Sequence, residues 1–321
     1  MFKIREYKTG DAEKIYTLFS KYTSYKRDAA FWVWINRLLS EKKSIISVAE
    51  ANNQIIGHYA IIPRNCIINK KTYRTGLGIH AFVDPEYRDS ISIFDITSHA
   101  YRFAKENEID FIYGFPNQNY RLVQEKIEKW KKVALFNAFE KDANNFDPAG
   151  PIFKWELFNL KDFDKIFILN ELAEEFGNSN DIYFSKPLPF IVNRYLYHPQ
   201  NIYQTWLLKD IDKYVGFIVT KIFNSENEKR AHIIDYVLSP EYETDTLIAD
   251  FEIKFSLVVD KFVLWPFSNK FHKSLLKRNF SESGFETFFG IKFLSESAKK
   301  ATDDILNFNN WHLTMGDSDA F

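Results

Sequence analysis

Apolar and polar positions alternate at the start of the chain, in FKIREY over Phe2–Tyr7, and predict a strand. Thr9 to Asp11 reads as a turn and helix cap, followed by a short amphipathic helix over Ala12–Phe19. FWVWINR, from Phe31 to Arg37, predicts a second helix. Ser44–Ala49 and Gln54–Ile62 read as a hairpin turning at Ala51–Asn53, with Gly57 marking a bulge. Ile67–Ile68 and Thr72–Tyr73 predict another short hairpin, turning at Asn69–Lys70.

The next stretch organises the first half. Thr75 to Val83 predicts a strand, ended by Asp84 and Pro85, since proline donates no hydrogen bond and restricts the residue before it. A polar loop, Glu86–Ser92, carries Arg88. A helix starts near Ile93 and runs to about Asn107, with Ile93, Phe94, Ile96, Ala100, Phe103 and Ala104 at three- and four-residue spacing. Ile109–Phe115 closes this crossover unit as a strand. Free N–H groups at the helix start favour an anion such as a phosphate, and Arg88 adds a forked cation beside them.

Downstream, the pattern predicts a helix over Tyr120–Lys132, a strand over Val133–Phe139, and a linker from Lys141 to Pro151 that holds proline and glycine. The second half repeats the first faintly. Asn193-Arg194 echoes Asn36-Arg37, Gly216 echoes Gly57, and LSPEY from Leu238 to Tyr242 echoes VDPEY from Val83 to Tyr87. Their common order argues for an internal repeat and for domains over 1–140 and 152–321. The second copy has Glu243 to Asp245 where the first has Arg88, so it would repel a pyrophosphate.

Composition narrows the function. Forty-two Lys and Arg against 43 Asp and Glu, a net charge of −1, argue against nucleic acid as a partner. No apolar run is long enough to span a membrane, and the N-terminus has no apolar signal core. A single cysteine, Cys66, excludes an internal disulfide and a cysteine metal cluster. The expectation is a cytoplasmic soluble protein with no metal. The chain alone leaves a homo-oligomer open.

VDPEYR, from Val83 to Arg88, followed by Ile93 and Phe94, resembles the acyl-coenzyme-A motif of GNAT-superfamily acyltransferases. FIYGFPN, from Phe111 to Asn117, resembles the family's next strand. The family's two glycines are replaced: counting from Arg88, Ile91 and Ile93 stand in their places, or Ser92 takes the first if the loop is one residue longer. The tail from Trp311 to Asp319 resembles the W-x-x-T-x-G-D-S-D ending of tandem GNAT-like proteins of bacterial surface-polysaccharide regions. The resemblance implies an α/β (α+β) fold of two tandem GNAT-like domains, each a mixed twisted sheet flanked by helices. The implied activity is N-acyl transfer, with acetyl-CoA or another acyl-CoA as co-substrate and a small-molecule amine or amino sugar as acceptor.

Site candidates follow. Backbone at Phe82 and Val83 would hold the acyl carbonyl. The segment Arg88, Asp89, Ser90, Ile91, Ser92, Ile93 and Phe94 would hold the pyrophosphate, and Asn117 the pantetheine arm. His80 is the preferred base, because its unperturbed pKa lies near neutrality, with Asp84 as the alternative. Tyr120 would protonate the leaving thiolate. Trp32, Trp34 and Arg37 are candidates for the acceptor, as are Asp317 and Asp319 in a tail anchored by Trp311. The alternatives are a GNAT-fold transferase that uses another donor, such as aminoacyl-tRNA, and a catalytically inactive binding protein.

Overall fold

The computed structural model describes residues 2–22, 28–38, 42–146, 150–177, 182–225 and 227–319, without the side chains of residues 37, 38 and 163. In chain order the strands are β1 (Phe2–Glu6), β2 (Ile45–Ala51), β3 (Gln54–Ile68), β4 (Lys71–Val83), β5 (Phe111–Gly114), β6 (Lys131–Asp142) and β7 (Lys154–Leu157). They continue with β8 (Ile182–Phe184), β9 (Gln204–Asp210), β10 (Lys213–Asn224), β11 (Lys229–Leu238), β12 (Lys261–Leu264), β13 (Ser281–Phe293) and β14 (Trp311–His312). The main helices are α1 (Asp11–Tyr22), α2 (Ala29–Val33), α3 (Ile93–Glu106), α4 (Gln118–Lys126), α5 (Phe163–Phe176), α6 (Leu188–Ile191), α7 (Thr244–Phe255) and α8 (Asn269–Lys277).

The chain divides into two compact units. The first takes residues 1–134, 197–200 and 288–306; the second takes 135–196, 201–287 and 307–321. In the first, β1, β2, β3 and β4 are successively antiparallel, β5 lies parallel to β4, and β13 lies antiparallel to β5 through residues 290–293. In the second, β7, β9, β10 and β11 are successively antiparallel, β12 is parallel to β11, and β6 is antiparallel to β12. Order and sense are the same in both sheets. Each sheet takes its last strand from the far half of the sequence.

That exchange corrects the expected boundaries. Lys141, expected to open a linker, pairs with Phe262 inside β6. Its ammonium is buried against Glu252 at 2.6 Å. Glu140 pairs with Lys261 at 3.4 Å. Lys141 reads as linker in the sequence because its partner comes more than a hundred residues later. A single helical turn over Ala143–Asn145 follows, and 147–149 lie outside the described residues.

Two other local readings change. The two short hairpins merge, because β3 runs unbroken past Pro63 to Ile68 and turns at Asn69 and Lys70, both at positive φ. The helix expected to reach Lys132 stops at Lys126, and Lys129 at φ 59° turns the chain back so that Glu128 points inward. The repeated Asn-Arg pair occupies matching places: a short helix followed by a wide π-turn, Trp34–Leu38 in the first unit and Val192–Leu196 in the second.

The core of the first unit forms where α3 lays Ile96, Ala100 and Ala104, all fully buried, against Ala49, Tyr59, Ile61 and Ile112 of the sheet. A Ser92–Asp95 capping box starts that helix. No helix among the described residues is long and apolar enough to cross a membrane.

Gly57 and Gly216 hold matching positions on β3 and β10, but their surroundings differ. A Cβ on Gly216 would meet the Val237 carbonyl oxygen at 2.3 Å and Leu238 Cα at 3.0 Å, both backbone. A Cβ on Gly57 would first meet the mobile end of Ile96, Cδ1, at 2.4 Å. Gly216→Ala should therefore destabilise by about 1–3 kcal/mol and Gly57→Ala by less. Thermal denaturation of the two variants checks this, and a larger loss in Gly57→Ala would refute it.

Candidate active site

The site is organised by how β4 ends. The parallel ladder between β4 and β5 covers only Thr75–Leu77 with Phe111–Tyr113, while β4 runs on to Val83. Beyond Leu77 the β5 side of β4 is therefore open as a notch. Within that overhang the register against β3 shifts, with His58 opposite Phe82 but Ala60 opposite Ile79. His80 sits in this bulge at φ 56°, a left-handed conformation uncommon for a residue with a side chain.

The bulge sets the direction of the backbone groups. Asp84 N–H donates to Ile56 C=O at 2.8 Å. Antiparallel alternation then points the Val83 N–H away from β3, into the notch, and points the Phe82 N–H toward β3. Of the two expected backbone donors, the Val83 N–H is the one that faces the notch.

His58, which the sequence reading did not single out, donates from Nδ1 to the His80 carbonyl at 3.0 Å. A carbonyl can only accept, so Nδ1 carries a proton. The His58 ring is fully buried, edge-on to Phe19 and Trp32, and its centroid lies 6.2 Å from that of His80. His80 is half-buried between Phe19 and Phe31. Trp32 and Trp34, expected to face an acceptor, are buried members of this aromatic cluster. The Arg37 side chain lies outside the described residues.

Asp84 is a cap rather than a base. Its carboxylate accepts from the Glu86 N–H at 3.0 Å and the Tyr22 hydroxyl at 2.7 Å, with Lys21 at 3.7 Å. Burial pushes its pKa up, but Tyr22, the Glu86 amide and Lys21 together outweigh this and hold it below the usual carboxylate value.

Tyr120 donates its hydroxyl to Glu128 at 3.0 Å. Glu128 is 1% exposed and also accepts from Thr97 at 2.8 Å and from Tyr101. Trp130 Nε1 in turn donates to the Tyr101 hydroxyl at 3.1 Å. Burial, with Glu128 beside it, raises the Tyr120 pKa, so the phenol stays protonated with its proton directed at Glu128. Asn117 uses its side-chain oxygen to cap α4, accepting Tyr120 N–H at 2.9 Å.

The loop before α3 differs most from expectation. Ser90 and Ile91 N–H both donate to Tyr87 C=O, at 2.9 and 3.0 Å, and Ser92 N–H donates to Asp95 Oδ2 at 2.9 Å. These three are not offered to a phosphate, and the Asp95 carboxylate itself caps the helix. Ile91 is 2% exposed, so its side chain packs into the core where the family's glycine would have none. The N–H groups of Asp89, Ile93 and Phe94 have no partner among the described residues. Arg88 is exposed, and only its Nε is engaged, by Val83 C=O at 3.3 Å.

The C-terminal tail belongs to the second unit. Asp317 is fully buried, capping Thr314 N–H at 2.9 Å and lying 3.3 Å from Lys186. Lys186 also reaches Asp235 at 2.9 Å and Thr314 Oγ1 at 2.7 Å. Arg194 donates to the carbonyls of Gly316 and Ser318. Trp311, 1% exposed, pairs in β14 with Ile182 of β8. Asp319 is exposed. The sequence did signal a fixed tail through Trp311, but Lys186 and Asp235 are distant in sequence and carried no motif. Among the described residues no group of three or more His, Cys, Asp or Glu could hold a metal ion.

Residues 3–124 match the family model described as an acetyltransferase (GNAT) domain. Among solved structures, the chain is similar to a GCN5-related N-acetyltransferase from Anabaena variabilis, with a TM-score of 0.70, 16% identity, and coverage of 92% of this chain and 73% of that one. A GCN5-related N-acetyltransferase from Kribbella flavida gives 0.63 at 11% identity, covering 92% and 72%. Saccharomyces cerevisiae N-myristoyltransferase with bound myristoyl-CoA gives 0.59 at 12% identity, covering 90% and 78%. No curated protein matches the chain.

Two outcomes follow from this geometry. Deleting Gly316 onward removes Asp317 from Lys186 and two carbonyls from Arg194, and breaking a buried ion pair costs about 3–5 kcal/mol. The truncated protein should melt about 10 °C lower; an unchanged melting temperature would return the tail to a purely functional role. Asp84, whose folded pKa lies below its free value of 3.8, contributes stability in full above that value and loses it as pH falls through the lower folded value. Asp84→Asn should therefore lower the melting temperature at neutral pH, with a deficit that shrinks below about pH 4. A deficit independent of pH would refute the cap.

Proposed function

We propose that this protein, a GNAT-fold chain with an acetyltransferase-type domain over residues 3–124, is an acyl-CoA-dependent N-acyltransferase acting on the amine of a small molecule or amino sugar. The observation that carries this reading is the notch where β4 outruns β5, with the Val83 N–H turned into it. A thioester lying along that edge would place its carbonyl oxygen on the Val83 N–H. The donor then strengthens as the oxygen becomes negative.

In this reading the amine nitrogen attacks the carbonyl carbon and forms the C–N bond. The C–S bond breaks as the tetrahedral centre collapses. His80 takes the proton that the amine loses and passes it to the departing thiolate, which leaves as coenzyme A thiol. His58 holds the bulged His80 backbone in place through its bond to the carbonyl. Tyr120 is less suited to direct proton donation than the resemblance implies, since its proton is already donated to Glu128. Arg88 and the N–H groups of Asp89, Ile93 and Phe94 remain for the pyrophosphate.

A second reading, a GNAT-fold transferase with a different donor, is favoured by the Ser90, Ile91 and Ser92 N–H groups being used internally and by the Asp95 carboxylate at the helix start. Calorimetry with acetyl-CoA separates the two. Under the first, wild type binds and Arg88→Ala weakens binding about tenfold, the loss of one charge-assisted hydrogen bond of about 1.5 kcal/mol. Ser92→Glu, which adds a second negative charge to the loop, weakens it more. No heat of binding at millimolar acetyl-CoA, with no thiol release in the presence of any amine, would overturn the acyl-CoA reading in favour of the second.

A further inference from the structure

An amine whose proton passes to His80 must come within hydrogen-bond reach of that ring. The rings packed against His80 are therefore the first neighbours of the acceptor. Three of them are Phe19, Phe31 and His58, with centroids 5.6, 6.1 and 6.2 Å from it. Phe19 and His58 are buried. Phe31 is half-buried, as His80 is. Of the three, Phe31 is the ring that an incoming molecule can touch.

Phe31 is held firmly. Its N–H donates to Asp28 Oδ1 at 2.9 Å in the cap of α2. Its ring lies 5.4 Å from that of Trp34, which is buried. It also meets His198 edge-on, at 6.3 Å. The His198 ring in turn rests on Trp34, with centroids 4.1 Å apart. Phe31 thus touches two histidines, His80 and His198, both half-buried.

His198 comes to this place from far along the chain. Residues 197–200 belong to the first unit, while the chain on either side of them belongs to the second. Pro199 stiffens this short excursion by fixing its own φ. Gln200 N–H donates to His198 Nδ1 at 3.1 Å. A ring nitrogen that accepts carries no proton, so the imidazole is neutral with its hydrogen on Nε2. A side chain that only filled space would not need its tautomer fixed.

The charge of this wall narrows the acceptor. Phe31, Trp34 and the neutral His198 carry none. The nearby carboxylates of Asp28 and Asp84 are occupied by the chain's own donors. These groups offer nothing to pair with the second charge of a diamine. What they offer is aromatic surface, whose negative face takes up C–H groups. A ring brings such a face already rigid, whereas an open chain loses rotamer freedom when it is laid down.

We infer that the acceptor carries its amine on a ring, that this ring lies on Phe31 with the amine toward His80, and that His198 borders it as a specificity-determining residue. The inference rests on the acyltransferase reading with His80 as proton acceptor, and it adds the class of amine and the residues that select it.

Steady-state assays of thiol release on the full chain, at saturating acetyl-CoA, test it with cyclohexylamine and n-hexylamine, which match in carbon number and basicity. The ring amine should have a kcat/KM about tenfold higher. Phe31→Leu keeps apolar volume without the flat face and should raise KM for cyclohexylamine about tenfold. His198→Ala should raise it about fivefold, and His198→Phe should restore most of the loss. In these variants kcat and the KM for acetyl-CoA should stay near wild type, a split that a merely structural role would not give. Equal kcat/KM for the two amines would overturn the inference, as would an unchanged amine KM in Phe31→Leu and His198→Ala with normal melting temperatures. Thiol release with neither cyclohexylamine nor glucosamine, while acetyl-CoA still binds, would also overturn it. Turnover of n-hexylamine as good as that of the rings leaves the acyl-CoA reading standing; absence of acetyl-CoA binding removes that reading and this inference together.

Discussion

One backbone hydrogen bond in each unit governs what its central strand can offer. Asp84 N–H to Ile56 C=O in the first, and Ser239 N–H to Val215 C=O in the second, fix which residues beyond the bulge turn outward. Because side-chain and backbone directions alternate with a period of two, a slip of one residue would bury the Val83 N–H against β3 and expose the Phe82 N–H instead. The bulge at His80 absorbs the extra length, so the strand can run past its parallel neighbour and still keep that register. The notch follows from two strands of unequal length held in one ladder.

The start of α3 shows how an apparent ligand site can be partly satisfied from within. Helix N-termini leave N–H groups unpaired, and that is why anions gather there. Here Ser92 and Asp95 close a capping box, and Tyr87 C=O takes two of the loop amides. What a glycine-rich loop would leave bare is occupied by the chain's own carboxylate and carbonyl. The Arg88 guanidinium and three amides are what remain for a phosphate, a smaller set than the motif alone suggests.

Buried charge is distributed unevenly between the units. The first holds the Glu128 side chain in a ring of three hydroxyls, with the Lys292 ammonium donating to its main-chain carbonyl. The second holds Lys186 between Asp235 and Asp317 and ties the tail to β11. Burial drives the Asp235 pKa up, with Asp317 adding to the effect against the opposing Lys186. Such an arrangement is costly to break, and it accounts for a C-terminal segment that is as buried as the sheets are.

The sequence by itself determined the local elements and the repeat. Period-two and period-3.6 patterns located most strands and helices, and the paired Asn-Arg and Gly positions marked two units of one topology. It placed His80 and Val83 at a strand end beside a helix start. It did not place the domain boundary, because β6 and β13 each complete a sheet built from the other half of the chain. It read Lys141 as linker and Asp317 as a reaching carboxylate, because the partners that bury them, Glu252 and Lys186, lie more than a hundred residues away. Trp32 and Trp34 read either as core or as facing a ligand, since an aromatic helix face is apolar in the sequence whether it meets a substrate or a core. His58 carried no motif at all, and only the fold brings its ring to the His80 carbonyl. Local hydrogen bonding and periodicity are properties of neighbours in sequence; which charges are paired and which surfaces are covered are decided by neighbours in space.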